Sequence, residues 1–147
     1  MIPELGLLAL IFSLIYALLL VALPSLGVVY RKPALIASSG PLSAMLFLSI
    51  LISFLLLVWS FLADDFSVRY VASNSNALMP WYYKVSATWG AHEGSMLLWV
   101  LVLAGWTYAV ATLSGDLQTE FRAIALAVLG FITTGFLLFL LLTSNPF

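Results

Sequence analysis

Four long uncharged stretches constrain this chain more than any other feature of its sequence. Each is rich in leucine and reaches the roughly 20 residues that a helix needs to cross a bilayer. A helix also pairs its backbone N–H and C=O groups within its own segment, as the lipid interior requires. The sequence therefore predicts an all-α membrane protein with four transmembrane helices. Their approximate ranges are 5–28, 42–63, 95–113 and 123–142.

Composition agrees with a bilayer as solvent and excludes several other classes of protein. Of the 147 residues, 64% are hydrophobic and 7% are charged, whereas a soluble domain carries about 25% charged residues. The net charge is −1 and the basic residues are scattered, which argues against nucleic-acid binding. The absence of cysteine excludes disulfides, thiolate metal sites and cysteine nucleophiles. The N-terminus lacks the basic region of a signal peptide, so we interpret the first run as a retained span.

The few basic residues predict the orientation in the membrane. Arg31 and Lys32 form the one basic cluster, and the positive-inside rule places it in the cytoplasm. Stretches 30–41 and 114–122 are then cytoplasmic, while the N-terminus and segment 64–94 face outward. Three basic residues lie inside in this topology and two lie outside, namely Arg31, Lys32 and Arg122 against Arg69 and Lys84.

The outward segment 64–94 is the longest polar stretch, and three parts of it suggest local structure. Residues 64–72 alternate in polarity, which is compatible with an extended strand. The Ser–Asn cluster 73–76 favours a turn. Pro80 can open a helix, and the aromatic residues after it are typical of a membrane interface. We therefore predict a short interfacial helix from about Pro80 to Thr88.

The stretch WGAHEGSMLLW at 89–99 is the first place to look for chemistry, because it contains the one histidine of the chain. On a helix, His92, Trp99 and Trp106 are seven residues apart and share a face, which could line a flat aromatic ligand such as a porphyrin. The alternative is that His92 and Glu93 form a polar cap where the third span enters the membrane, with the tryptophans in packing or interfacial roles. Residue types alone leave both interpretations open.

Small residues accompany this stretch at helical spacing. Ser86, Gly90 and Gly94 are four residues apart, a pattern that lets another helix approach closely. No phosphate-binding glycine pattern surrounds them, so we favour packing over chemistry.

Other kinds of site are poorly supported. No charged residue lies in the middle of a span, although ion-coupled transporters usually need one there. No Gly-x-Ser-x-Gly turn accompanies the histidine. Asp64, Asp65 and Arg69 are best interpreted as the water boundary of the second span. We therefore predict no catalytic residue and no metal site in this chain.

Three stretches, taken together and in order, resemble the N-terminal part of the CcmF/NrfE family. They are DFSVRYVASNSN at 65–76, WGAHEGSMLLW at 89–99 and LTSNPF at 142–147, and the opening MIPELG also fits. The signature residues in the second stretch are Trp89, Gly90, His92, Glu93, Gly94, Ser95 and Trp99.

The resemblance implies a function that composition does not. Members of this family are multi-pass subunits of the bacterial cytochrome c heme lyase in the inner membrane. The resemblance implies that heme arrives from the chaperone CcmE on the periplasmic side and is attached to apocytochrome c together with CcmH and CcmI. It also implies a transmembrane b-type heme, and it makes segment 64–94 and the N-terminus periplasmic.

The heme-liganding histidines and the tryptophan-rich segment of the family lie downstream of the positions matched here. No ligand is therefore carried over to this chain, and the resemblance favours a packing role for the stretch 89–99. His92, Trp99 and Trp106 remain the candidates if a cofactor contact exists in this chain. We expect the chain to be a truncation or one piece of a split subunit that serves mainly as scaffold. The alternative function is a membrane scaffold or transporter subunit without heme.

Overall fold

The computed structural model describes all 147 residues, and its regular secondary structure consists of helices without strands. Four helices are long and apolar enough to cross a membrane, which confirms the predicted fold class. The second of these is preceded by a short helix, and the two together form a helical stretch from Pro33 to Leu62. The helices are α1 (Ile2–Val29), α2 (Pro33–Ala37), α3 (Ser39–Leu62), α4 (Arg69–Asn74), α5 (Trp81–Ala87), α6 (His92–Leu113) and α7 (Thr119–Leu142).

The four long helices form a closed antiparallel ring. Each packs against the next in the chain, and α7 returns to pack against α1. Two ends result. The large-loop end carries the segment between α3 and α6, with α4 and α5, together with both chain termini. The short-loop end carries the connections 30–38 and 114–118.

Small and hydroxylated side chains bring α1 close to its neighbours. The hydroxyl of Ser13 donates to that of Ser49 across α1 and α3 at 2.8 Å, and Ser53 donates to the backbone oxygen of Gly6 at 3.0 Å. On the other side, a Cβ at Gly130 would lie 3.3 Å from the backbone oxygen of Ala17. Membrane helices associate through this close packing and interhelical hydrogen bonding.

Helix α1 continues past Pro24, although a proline inside a helix tends to kink or end it. Pro24 has no N–H to donate to the carbonyl of Leu20, a loss that membrane helices tolerate. The adjacent Ser25 hydroxyl donates to the next carbonyl, that of Val21, at 2.6 Å. The helix ends instead in a Schellman motif, in which Arg31 adopts φ 52°. Lys32 N–H then bonds to the carbonyl of Gly27 at 2.8 Å.

The large loop contains the short helix predicted at 80–88, as α5, whereas the extended strand that polarity allowed at 64–72 does not form. Residues from Arg69 onward form α4 instead. Alternation would have buried every second side chain, whereas Tyr70 and Val71 are both buried. Tyr70 packs edge-on against Phe61 of α3, with ring centroids 5.4 Å apart. Tertiary packing therefore outweighs the local polarity pattern.

Candidate functional site

The stretch 89–99 lies at the large-loop end, across the start of α6. Trp89 and Gly90 form the turn that follows α5, and His92 is the first residue of α6. The ring of Trp89 stacks over Phe54 of α3 at a centroid distance of 6.5 Å. Glu93 lies in the first turn of α6, where the helix dipole favours a negative charge.

Gly94 is the point of closest approach in this stretch. A Cβ at this position would collide with the carbonyl oxygen of Thr88 and would lie 2.6 Å from the hydroxyl oxygen of Tyr70. That hydroxyl donates to the same Thr88 oxygen at 3.1 Å. Only glycine therefore lets the first turn of α6 close on the end of α5.

Of the small residues at helical spacing, Gly94 alone makes a close approach. A Cβ at Gly90 would meet ordinary contacts, the nearest at 3.5 Å, and Ser86 is exposed. Of these three residues, Gly94 alone therefore provides the predicted close packing. It packs against the end of the short helix α5.

The environment of Tyr70 is both apolar and hydrogen-bonded. Burial raises the pKa of the Tyr70 hydroxyl, and the backbone N–H groups of Gly94 and Ala91 lower it by a smaller amount. Burial disfavours the charged phenolate. The tyrosine therefore keeps its proton and remains the donor to Thr88.

A second link joins α5 to the end of α3. The ammonium of Lys84 donates to Asp64 Oδ2 at 2.6 Å, and the lysine is buried. Asp64 follows α3 in a left-handed conformation with φ 53°, at the position of a Schellman motif that glycine usually takes. Its carboxylate also lies beside the negative end of the α3 dipole, so the lysine cation compensates both.

Asp64 and Ser75 contain the two buried side-chain oxygens that have no hydrogen-bond partner in this chain. The oxygens are Asp64 Oδ1 and Ser75 Oγ, and both belong to the large loop. All other buried polar side-chain atoms, including those in the spans, are paired. The polar groups left available are therefore concentrated at the large-loop end.

A polar pocket of about 370 Å³ opens beside Tyr70 and Glu93. It draws on each of the three stretches that carry the family resemblance: 65–76, 89–99 and 142–147. Arg69 and Glu93 supply opposite charges and are not paired in a salt bridge with each other or with any other residue. The lining residues are Arg69, Tyr70, Ser73, Glu93, Thr143, Ser144 and Asn145.

The C-terminal stretch is held in place by its own contacts. The backbone N–H of Ser144 bonds to the carbonyl of Phe139 at 3.2 Å, and Asn145 Oδ1 accepts from the N–H of Phe147 at 3.1 Å. The ring of Phe147 covers Gly6 of α1, where a Cβ would collide with it. These contacts bring Asn145 to the pocket from the far end of the chain.

His92, Trp99 and Trp106 do not form an enclosed site. His92 is exposed and meets the edge of Phe139 at a centroid distance of 6.0 Å. Trp99 and Trp106 are 68% and 67% exposed on the outer face of α6. An apolar groove of about 370 Å³ lies beside Trp99, but His92 is not among the residues that line it. The groove accordingly offers aromatic surface without an imidazole ligand.

Sequence reasoning singled out Glu93 and Gly94 but did not assign sites to Tyr70, Lys84 or Asn145. Their spatial relationship depends on how the loop and the tail fold over the ring. The available signal was the occurrence of three distinctive stretches at separate places in the chain, which the fold brings to one end.

The fold and the packing at the large-loop end define a class of protein: a multi-pass helical membrane protein with a large folded loop at one end. No protein-family model matches the chain. Over 147 residues and 100% of its length, it is 53% identical to the cytochrome c-type biogenesis protein CcmF of Pseudomonas aeruginosa, covering 22% of that protein. It is 50% identical to CcmF of Escherichia coli and 42% identical to NrfE of Haemophilus influenzae over 100% of the chain, covering 23% of each.

A solved structure, the cytochrome c heme lyase CcmF, matches the whole chain with a TM-score of 0.94 and 30% identity, over 25% of its own length. Over its whole length the chain is similar to an N-terminal portion of the longer CcmF and NrfE proteins. The family resemblance predicted from the sequence is confirmed. The chain spans less than a quarter of the curated relatives described above.

Proposed function

We propose that this chain forms the N-terminal membrane part of a heme lyase for cytochrome c biogenesis. Its contribution is a rigid four-helix scaffold that presents the polar pocket at the large-loop end to the periplasm. The convergence of three separated signature stretches on that pocket carries this proposal. Arg69 and Glu93 line this pocket without salt-bridge partners, so both charges remain available to a bound partner.

The reaction of the complete lyase would be the addition of two apocytochrome thiols to heme. Each S–H adds across one vinyl C=C bond, so a thioether forms and no group leaves. Heme supplies those vinyl groups, and the chaperone CcmE, apocytochrome c, CcmH and CcmI are the partners that this function implies. The residues of this chain position the outer surface on which such partners meet.

A b-type heme in the complete protein would be held by residues outside this chain. The single imidazole, that of His92, is exposed outside the apolar groove. This arrangement supports a scaffold role for the stretch 89–99, with Trp99 as an aromatic wall and not as part of an iron site.

The localisation that fits this function is the bacterial inner membrane. The large-loop end would face the periplasm, since heme attachment to cytochrome c occurs there in this family. The cytoplasmic end then carries Arg31, Lys32 and Arg122, in agreement with the positive-inside rule.

The experiment is a complementation assay for holocytochrome c in cells that depend on the complete protein. Arg69→Ala and Glu93→Gln are compared with Asp116→Asn, an exposed carboxylate at the short-loop end. We expect a several-fold loss of heme-stained cytochrome c for the pocket variants at unchanged membrane accumulation, and no loss for the control. Normal cytochrome c with both pocket variants would overturn the role of the pocket.

The second candidate function, a membrane scaffold without heme, is favoured by the lack of an enclosed ligand set in this chain. Absorbance of the purified complete protein distinguishes the two. A Soret band with reducible α and β bands supports the lyase, whereas a protein without visible absorbance and without effect on holocytochrome c supports the scaffold.

A further inference from the structure

Helix α6 is the least covered of the four spans. Of the residues in its most apolar stretch, 22% are buried, against 33%, 44% and 39% in the spans that begin at Ile2, Pro33 and Thr119. Its outer face carries two tryptophans, Trp99 and Trp106, which are 68% and 67% exposed. No other span presents two exposed indoles.

The depth of these tryptophans is unusual for a lipid-facing surface. Trp99 lies seven residues after the first residue of α6, and Trp106 lies seven residues before the last. At 1.5 Å per residue, each is about 10 Å from the nearer helix end. Tryptophan favours the membrane–water interface, where its N–H reaches water or headgroups. Trp59 fits that pattern, because it lies three residues before the end of α3.

The indole N–H groups of Trp99 and Trp106 have no acceptor in this chain. The side-chain hydrogen bonds made by α6 are those of its hydroxyl groups with carbonyls of the same helix, from Ser95, Thr107 and Thr112. Lipid tails offer no acceptor either, so polar groups at this depth are normally satisfied by protein.

The surface beside Trp99 has the shape of a helix-docking groove. It runs between α6 and α7 and continues past Trp99 toward Phe139. Gly135 of α7 lines it and is exposed, with nothing within 4 Å of the position that a Cβ would take. Small residues on such a face allow another backbone to approach. The lining residues are Met96, Trp99, Leu103, Ile132, Gly135, Phe136 and Phe139.

We infer that a further membrane-spanning helix of the complete protein docks in the α6–α7 groove and supplies hydrogen-bond acceptors to Trp99 and Trp106. A helix of the same protein is the favoured occupant, because this chain matches only 22% of the length of the Pseudomonas aeruginosa relative. The contacting face of that helix is apolar with polar acceptors spaced about two turns apart, to match indoles seven residues apart on α6. Such docking is needed whether or not the complete protein attaches heme.

Photocrosslinking in the complete protein tests the docking. A benzophenone amino acid replaces Trp99, Trp106 or, as the interfacial comparison, Trp59, and irradiated membranes are analysed by mass spectrometry. We expect positions 99 and 106 to yield cross-links to a membrane-spanning peptide from outside residues 1–147. Lipid adducts alone at both positions, or peptides solely from a second copy of residues 1–147, would overturn the inference.

The hydrogen bond is tested separately from the docking. The photocrosslinker is placed at Leu103, which lines the groove, and Trp99→Phe removes the N–H while keeping an aromatic ring. We expect the yield of the protein cross-link to fall several-fold with Trp99→Phe and to stay unchanged with Trp59→Phe. An unchanged yield in the Trp99→Phe protein would show that no acceptor is supplied there.

Discussion

Gly94 of α6 packs directly against the carbonyl oxygen of Thr88, at the end of α5. Any side chain at position 94 would collide with that oxygen, so the geometry of the large loop depends on this glycine. The same carbonyl accepts the hydroxyl of Tyr70. One backbone oxygen thus joins α4, the end of α5 and the start of α6.

Gly94→Ala should destabilise the complete protein. Overpacking in a filled site costs about 1–3 kcal/mol, and the upper part of that range is expected because the obstacle is backbone. Thermal unfolding in detergent measures the loss as a lower midpoint. Gly90→Ala in the same stretch is the matched control and should shift the midpoint little, since its Cβ meets ordinary contacts. Equal effects of the two substitutions would contradict the role of Gly94.

Lys84→Met should destabilise the loop by leaving the Asp64 carboxylate without its cation. Breaking a buried pair costs about 3–5 kcal/mol. Because Asp64 is 29% exposed, we expect roughly 1–3 kcal/mol after screening by solvent. Asparagine tolerates the left-handed backbone conformation of position 64. Asp64→Asn therefore removes the charge without adding backbone strain.

The double variant Asp64→Asn with Lys84→Met isolates the pair. We expect it to be less destabilised than the sum of the two single variants, since neither charge is then left alone. Strict additivity in chemical or thermal unfolding would show that the contact contributes no coupling. The exposed pair between the N-terminal amine and Glu4 serves as comparison, and Glu4→Gln should have no measurable effect.

The raised pKa of Tyr70 predicts a specific pH dependence. The folded protein holds this proton more tightly than the unfolded chain does, whose tyrosine titrates near the ordinary value of 10.0. The stabilisation is therefore complete below about pH 10 and is lost as pH rises through the folded pKa. Tyr70→Phe should reduce this loss, and it should cost about 0.5–1.5 kcal/mol at neutral pH through the lost hydrogen bond.

Ultraviolet difference titration of tyrosinate checks the order of ionisation. The wild-type chain should show a tyrosine component that ionises above the ordinary pKa of 10.0, and this late component should be smaller by one tyrosine in Tyr70→Phe. A wild-type titration without a late component would refute the assignment.

For a complete protein that binds heme as proposed, His92→Ala should leave the visible heme spectrum largely intact. The imidazole is exposed and meets the edge of Phe139, and it is not among the residues that line the apolar groove between α6 and α7. Absorbance of oxidised and reduced protein is the measurement, normalised to protein recovered from the membrane. Loss of the Soret band at normal recovery would identify His92 as a heme ligand.

The orientation is tested with single cysteines, because the chain has none of its own. A cysteine at Asn76 of the large loop should react with a membrane-impermeant maleimide added to spheroplasts. A cysteine at Gly115 of the short-loop end should react only after permeabilisation. The reverse pattern would invert the predicted topology.

The sequence by itself determined the class of fold. Long uncharged runs leave a helix as the way to satisfy the backbone in lipid, so the four spans were predictable without tertiary information. Their ends were less predictable. Span α1 continues through Pro24 to a Schellman motif at Arg31, because a membrane helix can accommodate a proline that a local rule treats as a break.

Only the tertiary structure decided the arrangement at the large-loop end. Local polarity suggested a strand where Tyr70 in fact belongs to a helix packed on Phe61. Asn145, from the end of the chain, reaches the same pocket as Arg69. Such meetings depend on contacts between residues far apart in sequence, which periodicity and propensity do not encode. The three stretches 65–76, 89–99 and 142–147 can be identified in the sequence. Their convergence on one pocket follows from the closure of the helical ring.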